Sequence, residues 1–128
     1  MALPVSRPFY DAPAQASTAS IGATPAAAVA VAPVSGILQR VLASAGGTTT
    51  GTIAVSVTIN GGSDVTGGGL TIAAGTGARN NPPYELALVG AGATSGVYVA
   101  EGDLITFTPS GGGGASIPGA FVAMIRAF

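Results

Sequence analysis

The groups that carry most enzyme chemistry are scarce in this chain. Its 128 residues include no His, Cys or Trp, and the four basic residues, Arg7, Arg40, Arg79 and Arg126, leave no Lys. Ser and Thr are plentiful, but a nucleophilic hydroxyl needs a base to take its proton, and the common ones are missing. Glu101 and Asp103, flanking Gly102, are the acid pair closest in sequence. Paired carboxylates cleave glycosidic bonds, and with oxygens from distant loops such as that of Asp64 they could hold calcium, which takes about six to eight oxygen ligands. Two positions apart in a glycine-containing turn, with no third acid nearby, they fit turn capping better. The glycine runs at 67–69 and 111–114 lack the Lys-Ser/Thr ending and the strand-to-helix setting of a phosphate loop. They read as flexible turns or points of close packing. Tyr84, Tyr98, Phe107, Phe121 and Phe128 could build a sugar platform, but their strand positions suit a core or a subunit interface. The expectation is a protein that is not an enzyme, with no cofactor and no metal.

Function must then come from architecture, and the clearest element is the stretch 51–60. Ile53, Val55, Val57 and Ile59 alternate with Ala54, Ser56 and Thr58. A period of two places the large β-branched residues on one face and the small ones on the other. Asn60-Gly61-Gly62 stops the strand with residues that tolerate positive φ. Around it the chain reads as short strands between glycine-rich turns. Residues 36–44 form one, with Leu38 and Leu42 on one face and Ile37 and Val41 on the other, as in a strand covered on both sides. Residues 70–72 are a brief strand, and Tyr84, Leu86 and Leu88 alternate in another. Residues 97–99 and 104–107 are two more, joined by the tight turn 101–103. Residues 120–128 close the chain, with Phe121, Ala123 and Ile125 opposite Val122, Met124 and Arg126. About seven or eight short strands at regular spacing, with no helical period, predict an all-β sandwich or barrel.

Residues 1–33 differ in kind. Pro4, Pro8, Pro13, Pro25 and Pro33 recur among Ala, Ser and Thr, which excludes a long helix and removes ladder donors. The segment reads as an extended N-terminal arm, with a short strand or helical turn conceivable around residues 26–32, followed by one β domain over residues 34–128. Leu3, Val5, Arg7, Phe9 and Tyr10 are the bulky side chains that could anchor the arm on a partner.

Charge narrows the partners. Charged residues make up 7% of the chain and the net charge is −1, against roughly 25% charged residues in an ordinary soluble domain. No basic patch is available to neutralise phosphates, so nucleic acid is not an expected partner. The apolar run 26–34, interrupted by Pro33, falls far short of the roughly 20 residues of a membrane span, and the basic n-region of a secretory signal is absent from Met-Ala-Leu-Pro. A mean hydropathy of +0.60 with so few charges suits a subunit whose surface is covered by neighbours.

The phrase 99–109, Val-Ala-Glu-Gly-Asp-Leu-Ile-Thr-Phe-Thr-Pro, with its Gly-Asp turn leading into an alternating strand, resembles small jelly-roll modules such as tumour-necrosis-factor-like trimers and viral jelly rolls. With the Pro/Ala-rich arm, the near absence of charge and the Gly/Thr/Ser/Ala bias, the whole chain resembles the decoration (cement) proteins of tailed-bacteriophage heads. The resemblance implies a jelly-roll-like sandwich over residues 34–128, no catalytic residues, and a homotrimer on the capsid surface of a virion. It also implies that the arm reaches the major capsid protein or an adjacent subunit. A receptor- or glycan-binding head of a phage fibre or spike, presenting the loops 73–83 and 109–114, is the alternative.

Overall fold

The computed structural model describes residues 11–64, 70–72, 84–85, 97–110 and 116–127. They form nine strands and no helix: β1 Asp11–Thr18, β2 Ala28–Val31, β3 Gly36–Ala45, β4 Ile53–Ile59, β5 Leu70–Ile72, β6 Tyr84–Glu85, β7 Tyr98–Val99, β8 Leu104–Pro109 and β9 Gly119–Ala127. One sheet runs β1-β9-β3-β6, with β7 also on β3, and the other runs β2-β8-β4-β5. All pairings are antiparallel.

The pairings are nested. β1 pairs with β9, β2 with β8, β3 with β6 and β7, and β4 with β5. The chain is thus a long hairpin rolled so that successive pairs fall alternately in the two sheets, which is jelly-roll topology. β6 and β7 lie along one edge of β3, at Arg40 and Val41 and at Gly36 and Ile37 respectively. They share one strand position, so nine segments fill the eight positions of two four-strand layers.

The prolines and alanines of the N-terminal third do not keep it out of the fold. The arm expected over residues 1–33 is corrected for the part described: β1 pairs with β9 over its whole length and β2 pairs with β8. Both are edge strands, where a proline is tolerated. Pro13 is exposed on β1, whereas Pro25 and Pro33 lie in the connections that flank β2. The alanines have a packing role. Ala28 sits opposite Phe107, and Ala16 and Ala43 flank Phe121 on either side of β9. These small neighbours leave room for the Phe107 and Phe121 rings, which stack across the two sheets with centroids 5.1 Å apart and planes 7° from parallel.

Around that pair, Leu38, Val41, Ile53, Val55, Val57, Ile72, Ile105 and Ile125 complete a core contributed by both sheets. β4 behaves as its alternation predicts: Ile53, Val55 and Val57 are buried and Ile59 is half-buried. β3 does not. A bulge between Leu38 and Arg40 puts one extra residue on this strand and resets its faces. Leu38 and Val41, expected on opposite faces, are therefore both buried, and Ile37 and Leu42 are both half-buried.

Candidate functional site

The acid pair resolves into a structural node. The turn 100–103 is closed by Asp103 N–H donating to the Ala100 carbonyl at 2.9 Å, with Gly102 at φ +92°. Asp103 Oδ2 accepts from Ala100 N–H and Oδ1 accepts from Asn60 Nδ2, each at 2.9 Å. Asn60 Oδ1 in turn accepts from Leu104 N–H at 2.8 Å. On the other side, Gly102 N–H donates to the Ala32 carbonyl, Ala32 N–H to the Asp103 carbonyl, and Glu101 N–H to Ser35 Oγ, all at 2.9 Å. The connections β2–β3, β4–β5 and β7–β8 are thereby tied at one end of the sandwich. Both Asp103 oxygens act as turn-capping acceptors, and no cluster of three acid side chains able to hold a metal occurs among the described residues.

The bond from Asn60, reinforced by that from Ala100, lowers the Asp103 pKa below its ordinary value. Because the folded-state pKa is the depressed one, the stabilisation is present above the normal carboxylate range and is lost as pH falls through the folded value. Thermal melts are expected to show Tm falling below about pH 4 in the wild type and a shallower fall in Asp103→Asn.

The outer faces of the sandwich are unlike each other. Among the described residues, every charged residue that lies in a named strand, namely Asp11, Arg40, Glu85 and Arg126, belongs to the β1-β9-β3-β6/β7 layer. Across that layer the register aligns Gln15, Val122 and Leu42 in one row and Pro13, Met124 and Arg40 in the next. At its corner Arg126 Nε meets Asp11 Oδ1 at 3.3 Å, an exposed ion pair of small energetic weight. The four strands of the β2-β8-β4-β5 layer carry no charge at all. Their outer face shows Val29 (53% exposed), Val31 (58%) and Leu104 (46%), with Val31 directly opposite Leu104 and Val29 opposite Thr106. Asp64, bridged to Thr58 at the β4 edge, is the charge nearest this face among the described residues, and the opposite side ends in the valine-bearing edge strand β2.

The anchors read from the sequence, Leu3, Val5, Arg7, Phe9 and Tyr10, lie outside the described residues, as do the glycine runs and the loop 73–83. Of the strand aromatics, Phe107 and Phe121 are core residues and Tyr98 is exposed. Sequence reasoning missed Val29 and Val31, because an alternation of Val with Ala gives no sign of which member faces the core. No helix among the described residues is long and apolar enough to cross a membrane. No protein-family model, curated protein or solved structure matches this chain.

Proposed function

We propose that this chain is a non-enzymatic structural subunit that associates with itself as a homotrimer and decorates the head of a tailed bacteriophage, bound to the major capsid protein at the capsid surface. The observation that carries this reading is the outer face of the β2-β8-β4-β5 layer, whose four strands carry no charge and whose β2–β8 side exposes Val29, Val31 and Leu104, with Asp64 confined to the far edge beside Thr58. Three copies packed through such faces would bury surface that is unfavourable on a monomer and would protect the β2 edge. The jelly-roll topology and the resemblance to cement proteins support the same reading. In it, residues 1–10 carry the capsid contact through Leu3, Val5, Arg7, Phe9 and Tyr10, and the many copies on a lattice allow each contact to be weak.

Because β1 begins at Asp11, the segment that tests the capsid contact is 1–10 and not 1–33. Removing residues 1–10 is expected to leave the Tm within a few degrees of wild type and to abolish co-sedimentation with empty phage heads. Undiminished binding by the truncated chain would place the contact on the sandwich itself. Removing residues 1–33 would delete β1 and β2 and unfold the protein.

A further inference from the structure

Asn60 precedes Gly61 in the single Asn-Gly step of the chain, since Asn80 is followed by Asn and Asn81 by Pro. Such a step is open to spontaneous deamidation. The main-chain nitrogen of Gly61 attacks Cγ of Asn60; the N–Cγ bond forms, the Cγ–Nδ2 bond breaks, and ammonia leaves with the proton that the Gly61 N–H gives up. Water then opens the cyclic imide at either carbonyl, giving aspartate or an iso-linked aspartate whose main chain runs through the former side chain.

The local geometry both invites this reaction and restrains it. Asn60 and Gly61 have φ of 53° and 70°, and Gly62 N–H donates to the Ile59 carbonyl at 3.0 Å, which makes a two-residue turn of the mirror-image type. The turn is exposed, and a methyl group added at Gly61 would meet nothing within 4 Å, so the turn lies open on its glycine side. Against this, both polar atoms of the Asn60 side chain are held from across the end of the sandwich, Nδ2 by Asp103 and Oδ1 by Leu104 N–H. Asn60 N–H also donates to the Leu104 carbonyl at 2.8 Å. Ring closure requires the side chain to leave these partners.

We propose that Asn60 is a latent modification site, protected from deamidation in the folded protein by its hydrogen bonds to Asp103 and Leu104, and that its deamidation unlatches the end of the sandwich where three connections meet. In the aspartate product the Nδ2 donor is replaced by a carboxylate oxygen facing Asp103, across what is now a 2.9 Å hydrogen bond. Two carboxylates at that spacing do not both ionise readily. The charged side chains on the three tied connections, Asp64, Glu101 and Asp103, are all acidic, so none of them offsets the new charge. The shared pair has a raised folded-state pKa, and its stability is therefore present at low pH and lost as pH rises. The iso-linked product further lengthens the main chain of a two-residue turn. This inference is independent of any role on a capsid.

The test is peptide mass mapping of position 60 after incubation of the full chain at mildly alkaline pH, native and in urea. Native Asn60 is expected to deamidate at least about tenfold more slowly than in urea. Asp103→Ala, checked as folded by its melt, is expected to react about tenfold faster than native wild type, the factor for losing one hydrogen bond to a charged group. Equal native and urea rates, or an unchanged rate in Asp103→Ala, would overturn the protection. Should Asp103→Ala not fold, the comparison of native with urea decides that half alone. For the unlatching, Asn60→Asp is expected to melt higher at about pH 4 than at about pH 7, whereas the wild type, which loses stability only below about pH 4, shows no such gain; parallel pH profiles would overturn it.

Discussion

Phe107→Ala is expected to cost about 3–5 kcal/mol, since Phe107 and Phe121 are the largest fully buried side chains among the described residues. Phe107 is fully buried and its ring stacks on that of Phe121, which comes from the opposite sheet. Its neighbours across the ladder are Ala28 on β2 and Val57 on β4. Alanine has no side chain to swing into the vacated space, and the backbones that bear these residues are fixed by pairing. The site therefore collapses poorly, and poor collapse puts a truncation at the upper end of its range. Domains of this size have about 5–15 kcal/mol in total, so a fall in Tm of at least about 10 °C is expected by calorimetry. Phe107→Leu, which keeps most of the volume, should lose well under half of that. A Phe107→Ala protein that melts with the wild type would show that the two sheets do not meet through this pair.

Gly36→Ala is expected to destabilise by about 3 kcal/mol through the opposite defect, overpacking. Gly36 lies between β9 and β7, opposite Ala127 and Val99. A Cβ there would fall 2.0 Å from the Arg126 carbonyl oxygen and 2.7 Å from its carbon. Main-chain atoms within a three-strand ladder do not rotate away as a side chain does, so the relief must come from displacing β9 or the start of β3. Gly47→Ala provides the scale for a tolerated methyl, since it meets only the Ile117 side chain, at 3.3 Å. Denaturant melts should separate the two variants clearly, with an unchanged midpoint for Gly36→Ala arguing against so close an approach of β9.

The parts of the fold legible in the sequence are those governed by local pattern. In β4 large residues alternate with small ones and burial follows that period as far as Val57, and in β9 the two faces separate at a period of two, with Phe121, Ala123 and Ile125 inward and Val122, Met124 and Arg126 outward. The all-β class and the turn at residues 101–103 rest on the same kind of signal. The strands of the N-terminal third leave little trace in the sequence because their inward residues are Ala12, Ala14, Ala28 and Ala30, whose apolar contribution is small. What makes them strand residues is the partner each meets far away in the sequence, Ile125 and Ala123 for Ala12 and Ala14, and Phe107 and Ile105 for Ala28 and Ala30. The faces of β3 depend on a bulge, which costs one residue of register and leaves no mark in composition. The latch joining Asn60 to Asp103 spans 43 residues. Each partner was visible as a turn residue, but only the nested winding of the strands brings the two turns together. Likewise the exposed Val29, Val31 and Leu104 form a patch only because β2 pairs with β8.

The central claim, a self-associating subunit that binds phage heads, is tested most directly by the mass of the purified chain in solution, measured by light scattering with and without empty heads. The wild type is expected to be a trimer that co-sediments with heads at high copy. Val31→Glu combined with Leu104→Lys, which places charge on a face whose strands carry none while opposite charges meet across the ladder, is expected to yield a folded monomer. A wild-type monomer that ignores heads would contradict the account, and a charged double variant that remains trimeric would remove the β2-β8-β4-β5 face from the assembly.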